Sequence, residues 1–449
     1  MTPSRAGALP ALPAVAATVA LVLLVPTHPA SAAFPGKNGE ITFARAASDA
    51  PSTGEIYVMR PDGSGQTRLT SNDAVDSLPA FAPDGARIAF TSRRDSQGTA
   101  VNDELYVMDA ADDDGDGNGD HLTRLTSTGG ENEFQPAFSP DGTRIAFTSN
   151  RDGDNDIYLM DADGTNQVRL TDNATRDARP AFSPDGRRIA FTSNRDRDDE
   201  IYVVDATDDD GDGNGDHLTK ITDNAGVADT HANFSPDGEL IAFTTRRDGN
   251  DEIYVANADG GGSPTRLTDN DAVDEFPAFS PDGQWVAFSS NRAGGGPDYD
   301  IYTMRVARED AGNAPERLTN TPEADSKPDW GPAFYDFGGF YAPVDNLPVS
   351  NAVQAGRAVP IKFDLGGDEG LDILAAGSPL SRRIDCDSAA PVDDIEQTAT
   401  AGESGLSYDA DAGRYAYVWK TEKGWSGTCR QFVLALDDGT VHRANFRFR

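Results

Sequence analysis

Two ten-residue stretches of this chain have the residue types and spacing to hold a hard cation. Asp112-Asp-Asp-Gly-Asp-Gly-Asn-Gly-Asp-His121 recurs unchanged from Asp208 to His217. Ca²⁺ takes six to eight oxygen ligands, and carboxylates on alternate residues, with glycine permitting a sharp turn, can wrap around one. Asp112, Asp114 and Asp116, and Asp208, Asp210 and Asp212, are the expected first ligands, with Asn118, Asp120, Asn214 and Asp216 supplying further oxygens. The EF-hand pattern fails at its twelfth position, where Thr123 and Thr219 stand in place of glutamate. The competing reading is a solvated acidic hairpin in an acidic chain. Calcium is the one cofactor the residues point to.

Catalytic signals are thin. Of the five histidines, His121 and His217 end the two acidic inserts. A Gly-x-Ser-x-Gly elbow, a His-Glu-x-x-His zinc motif and a phosphate-cradling Gly-x-x-x-x-Gly-Lys are absent from the sequence. His231 interrupts an otherwise repeated phrase and is the one catalytic suspect, set against the commoner structural histidine. A carboxylate pair for glycoside hydrolysis is a matter of geometry, which the many aspartates leave open. The balance of 38 basic against 75 acidic residues, a net charge of −37, repels phosphate backbones and anionic lipid. Nucleic acid and membrane surfaces are therefore not expected as partners, whereas cations and basic groups fit.

The elements that must position these residues come from a repeat. A Pro-Asp-Gly turn recurs at Pro83, Pro140, Pro184, Pro236 and Pro281. Each turn leads into a phrase such as Arg87-Ile-Ala-Phe-Thr-Ser92, then one such as Asp156-Ile-Tyr-Leu-Met-Asp161, then a polar turn and Val168-Arg-Leu-Thr171 or its equivalent. Short apolar runs between Asp-Gly turns read as hairpin strands, and four per unit of roughly 45–55 residues is the size of a propeller blade. One blade cannot bury both faces, so closure into a ring is required. Six units are expected. The first lacks its opening strand, since Asn38-Gly39 and Ile41-Thr-Phe43 match a second strand, while Lys327-Pro-Asp-Trp-Gly-Pro332 aligns with Phe276-Pro-Ala-Phe-Ser-Pro281 and then stops. Residues 325–331 are thus predicted to be the innermost strand of blade one, closing the ring. The acidic inserts fall between the third and fourth strands of blades two and four.

The alignment also gives each blade one carboxylate at the same place: Asp76, Glu133, Asp177, Asp229, Asp274 and Asp325. On innermost strands they would ring one mouth of the channel as a binding site for a cation or basic group. The second strand ends in Arg94, Arg151, Arg195, Arg247 and Arg292 on the same side, so pairing within each blade is the structural alternative.

On these motifs, Ser-Pro-Asp-Gly followed by Ile-Ala-Phe and Ile-Tyr-Val-Met-Asp, the chain resembles the TolB-like, WD40-like propeller family over about 300 residues. The resemblance implies an all-β, six-bladed β-propeller over 33–332. TolB itself has a further domain before the propeller that joins the Tol-Pal envelope machinery. Here blade one starts beside the expected cleavage site, so a Tol-Pal role is not expected.

Residues 1–32 read as a signal peptide: Arg5, an apolar run from Ala11 to Val25, and a small-residue site at Ala30-Ser31-Ala32, with export to the cell exterior or envelope and no membrane insertion. After a junction at 333–339, residues 340–449 form a second, small β-sandwich-like domain. In an exported protein Cys386 and Cys429 are expected to pair. Pro360-Ile-Lys-Phe363, Phe340-Tyr-Ala-Pro343 and Trp425-Ser-Gly-Thr-Cys-Arg430 resemble the PxKF domain, which implies an exported accessory module without a reaction of its own. The expected function is a secreted, non-catalytic propeller that binds a protein or envelope polymer, with calcium stiffening two hairpins. The rivals are an extracellular polysaccharide lyase or hydrolase at the channel mouth, and a passive acidic surface or matrix component.

Overall fold

The computed structural model describes residues 36–449 apart from 48–49, 96–101, 113–118, 208–214, 295–297, 307–313, 336, 368–370, 372, 376, 387–390, 398, 401–404, 437 and 439. The expected signal peptide lies outside the described residues. The regular structure among the described residues is almost entirely strand, in six four-stranded sheets followed by two five-stranded ones.

Each of the six sheets is an antiparallel meander, and blade three shows the pattern. Its strands are Glu133–Phe138, Arg144–Ser149, Asp156–Asp161 and Val168–Arg169, running from the channel outwards. The second and third strands are apolar on both faces because both are covered by neighbouring blades. Ile145, Phe147 and Ile157 are fully buried, as are their equivalents Ile88, Phe90, Ile189, Phe191, Ile241 and Phe243. The Ser-Pro-Asp-Gly turn is fixed by its own side chains: Ser139 Oγ donates to Asp141 Oδ1 at 2.7 Å, and Gly142 takes the left-handed conformation, φ 69°, that favours glycine.

Ring closure takes the predicted form. Strand Ala324–Ala333, from the far end of the array, pairs antiparallel with Lys37–Ala47 and completes blade one from the inside. The innermost strands contact one another in the order of blades one to six and back to one. Gly39 is required at this seam, since a Cβ there would lie 2.4 Å from the carbonyl oxygen of Pro332. The Gly39 carbonyl in turn accepts from Trp330 Nε1 at 3.0 Å. The closing strand thereby leaves no unpaired inner edge on blade one.

The C-terminal region packs two sheets around one aromatic core that includes Phe363, Tyr415, Trp419, Phe432 and Phe446, all fully buried. Cys386 and Cys429 form a disulfide with a Cα–Cα distance of 5.2 Å. Lys362, in strand Ala358–Phe363, is exposed between buried Ile361 and Phe363. His442 stacks on Phe337 with ring centroids 3.5 Å apart, a packing role. At the junction the Tyr335 N–H donates to Asp438 Oδ2 at 2.7 Å.

Asp329 of the closing strand makes a testable case. Its Oδ2 accepts the Phe81 N–H of blade two at 2.7 Å, the role Asn233 fills for the Phe279 N–H at 2.9 Å. Burial pushes the Asp329 carboxyl up to about 6 from its ordinary 3.8, against the pull of the Phe81 and Trp330 N–H groups. The folded state therefore holds this proton more tightly than the unfolded state. Its contribution is most favourable below about pH 4, falls between about 4 and 6, and is a constant cost above that. Asp329→Asn keeps an acceptor for Phe81 and removes the cost. Above pH 7 the variant is expected to be more stable by about 1–2 kcal/mol, the two-unit shift being discounted for water in the channel. Below pH 4 that advantage should vanish. Urea unfolding of both proteins across this range measures the difference.

Candidate functional site

The six aligned carboxylates begin the innermost strands, and all six residues are fully buried. Each is paired with an arginine of its own blade. The distances are 2.7 Å for Arg94–Asp76, 3.2 Å for Arg151–Glu133, 2.9 Å for Arg195–Asp177, 3.0 Å for Arg247–Asp229 and 2.6 Å for Arg292–Asp274. Blade one uses Arg45, 2.6 Å from Asp325, two strand positions earlier than its counterparts. Every one of these guanidiniums also lies over a Phe and a Tyr ring, 4.6–5.5 Å from the centroids. The expectation of an open carboxylate ring for a cation is therefore replaced by the pairing alternative. Asp76, Glu133, Asp177, Asp229, Asp274 and Asp325 are committed inside the blades, because an unpaired carboxylate buried between them would be far costlier.

A second carboxylate set escaped the sequence reading. Glu104, Asp156, Glu200, Glu252 and Asp300 open the third strands, Glu55 holds the equivalent place within Ala50–Met59, and all six are buried. Thr126 Oγ1 donates to Glu104 at 2.7 Å while accepting the Leu105 N–H, and Arg124 Nη2 reaches the same carboxylate at 2.8 Å. Arg169–Asp156, Arg266–Glu252 and Arg317–Asp300 repeat the ion pair at 2.6, 2.9 and 2.6 Å. The signal was in the letters: an acidic residue before each Ile/Leu-Tyr and a basic residue two before each closing Thr.

With the repeated charges committed, the unrepeated feature is the channel neck. Two residues after each inner carboxylate the strand bulges, and the bulge residue has a positive φ: Leu78 54°, Gln135 59°, Arg179 61°, His231 58°, Phe276 58° and Lys327 58°. The bulge turns the backbone N–H towards the preceding blade. Gln135, Arg179, Phe276 and Lys327 donate to the hydroxyls of Thr91, Thr148, Thr244 and Ser289. All six bulge residues line one cavity of about 160 Å³ in the centre of the ring. Non-glycine residues held at positive φ are strained, and such strain concentrates where side chains have to be aimed. Sequence reasoning found only His231 of this set. The available signal was that this position differs in all six units while the next residue is proline in five of them.

His231 is placed in this neck. Its ring packs on Phe276 with centroids 3.9 Å apart, and Nδ1 lies 3.0 Å from Thr230 Oγ1. Burial, with the positive charges of Arg179, Lys327 and Arg176, holds it well below the ordinary histidine range. It is a neutral imidazole near pH 7.

Of the expected calcium ligands, Asp114, Asp116, Asn118, Asp208, Asp210, Asp212 and Asn214 lie outside the described residues. Asp112, Asp120 and Asp216 stand at the ends of the inserts. The bases of both hairpins are clamped alike, His121 Nδ1 to Asp109 at 2.7 Å and His217 Nδ1 to Asp205 at 2.8 Å. Among the described residues no group of three or more His, Cys, Asp or Glu gathers as a metal-ligand set.

Residues 116–222 and 216–335 match the family described as the TolB beta propeller domain. A protein TolB homolog of Chlorobium luteolum is 31% identical over 149 residues, covering 26% of this chain and 33% of that protein. The Tol-Pal system protein TolB of Anaeromyxobacter sp. (strain K) is 32% identical over 125 residues, 28% of this chain and 26% of its own length. The chain thus spans about a quarter to a third of these relatives. The crystal structure of TolB from Acinetobacter baumannii superposes with a TM-score of 0.53 at 25% identity, over 66% of this chain and 67% of that one.

The blade pairs give a direct test. Arg195→Ala leaves Asp177 buried with Oδ1 already lacking a partner, and should destabilise by about 3–5 kcal/mol in urea unfolding at pH 7. Adding Asp177→Asn to Arg195→Met should recover part of that loss; no recovery would mean that the arginine acts through packing on Phe191 and Tyr202 alone.

Proposed function

Because the propeller belongs to the TolB-like family, we propose that this chain is an exported, non-catalytic binding protein of the cell envelope. It recognises a protein or envelope polymer at the mouth and neck of its channel. One observation carries the reading: a frame that repeats its charges and aromatics six times and its turns five times presents six different side chains, Leu78, Gln135, Arg179, His231, Phe276 and Lys327, to a single cavity. Repetition serves the ring, whereas diversity at one strained position serves recognition. In this reading residues 1–32 direct export, calcium stiffens the two acidic inserts, and the C-terminal β domain is a PxKF-type accessory module.

Two measurements check this. A photo-reactive amino acid at position 276, in protein expressed in its own cells, should cross-link to a macromolecule. The same group at Thr265, on the outermost strand of blade five, should not. Equal labelling from both positions would remove the channel from the account. Calcium titration of the mature protein by calorimetry should show two saturable sites lost on replacing Asp114 and Asp210, with a rise in melting temperature by linkage. No heat and no shift would leave the inserts as acidic hairpins.

A further inference from the structure

The neck contains cationic groups that make no ion pair among the described residues, although carboxylates act on them at a distance. Among the described residues, the arginines nearest to it are paired: Arg93 with Asp103 at 2.7 Å, Arg176 with Asp199 at 2.5 Å and Arg246 with Asp251 at 2.7 Å. Arg179 differs. Its Nε and Nη1 are buried and meet no acceptor, and the same is true of His231 Nε2. Lys327 makes no ion pair among the described residues, and burial lowers its basicity despite the neighbouring carboxylate of Glu275. In a chain carrying 75 acidic residues, leaving a buried guanidinium without a carboxylate is a costly arrangement.

The positions of these groups are complementary. Blades one and four face each other across a six-membered ring, so Lys327 and Arg179 stand on opposite sides of the axis. His231, which lines the same cavity, has a buried nitrogen without a partner, and Phe276 and Leu78 provide apolar walls. Beneath the neck the cavity is lined by the prolines that follow the bulge residues and by alanines. Asp199 and Asp103 act on Arg179 and Lys327 at a distance while paired with Arg176 and Arg93, and two further carboxylates approach. Asp329 is engaged by the Phe81 N–H, and Glu275 on the rim is pushed towards its neutral form by burial and by Asp251. Neither forms an ion pair with Arg179 or Lys327 among the described residues.

We propose that the channel neck is a binding site for a carboxylate carried on a compact apolar body, held between Arg179 and Lys327 with His231 as a further donor. The volume of about 160 Å³ is that of a cavity able to take a benzene ring. Buried, oppositely placed cations stabilise an anion more than either would in water. The site goes beyond partner recognition as proposed above, since a free acid would occupy it without any macromolecule.

The probes are benzoate and a tripeptide ending in a phenylalanine carboxylate, with the same peptide as its C-terminal amide. Calorimetry at constant ionic strength should give saturable 1:1 binding of benzoate, of the peptide acid, or of both. Benzoate alone assigns the site to a free acid, and the peptide acid alone to a polypeptide end. Arg179→Gln and Lys327→Gln should each weaken binding by about tenfold or more. Gln135→Glu provides a check that does not depend on losing a charge. It places a carboxylate beside Arg179 while keeping an oxygen for the Thr148 hydroxyl and the Arg179 N–H. This variant should melt higher than the parent and no longer bind the probes. No saturable binding of either acid, binding of the amide as tight as the acid, or unchanged affinity in Arg179→Gln and Lys327→Gln would each overturn the proposal.

Discussion

The interaction on which the rest of the propeller depends is the arginine held in each blade between a buried carboxylate and two aromatic rings. A guanidinium suits this place because its edge donates to the carboxylate while its weakly hydrated face lies on Phe and Tyr. Arg195 ties the start of the innermost strand, at Asp177, to the second and third strands through Phe191 and Tyr202. Six such ties fix the splay of the strands at one end of every blade. The Pro-Asp-Gly turns do the same at the other end of blades two to six. With both ends fixed, the bulge between them has a defined place, and at Gln135, Arg179, Phe276 and Lys327 its N–H reaches a hydroxyl of the preceding blade. The ring is then closed by one strand from the far end of the array.

This constraint also bears on where the proposed recognition would reside. A carboxylate and an arginine in each blade look, in sequence, like reactive groups around a channel, but pairing removes them from chemistry. What remains accessible at the centre is the bulge position, where the frame demands a conformation and leaves the side chain free to vary. His231, the one catalytic suspect, is one of six such residues. Its low basicity follows from burial beside Arg179 and Lys327.

The architecture was legible because it is written several times. The repeated phrase gives the strands, the count of blades and the closing strand around Lys327 to Trp330, and the match of Arg94 and its equivalents to the aligned carboxylates offers their pairing. The neck was not legible, for a physical reason. Leu78, Gln135, Arg179, Phe276 and Lys327 each precede proline, which biases a residue towards extended backbone, so local rules predict a plain strand where packing between blades imposes a left-handed bulge. Arg45 was missed because blade one places it two residues early. The second carboxylate set was missed because acidic residues before Ile-Tyr look like ordinary strand ends until Thr and Arg from the fourth strand are seen to converge on them.

The separation of a repeated frame from a variable neck is tested most directly by replacing Leu78, Gln135, Arg179, His231, Phe276 and Lys327 together by asparagine and following thermal unfolding. Asparagine accepts positive φ more readily than any of the six and carries no charge to leave unpaired. If the frame is independent of these side chains, the variant unfolds in one cooperative transition within roughly 5 °C of the parent or above it. Loss of cooperativity, or a fall well beyond that range, would show that the neck side chains hold the ring together and would contradict their assignment to recognition.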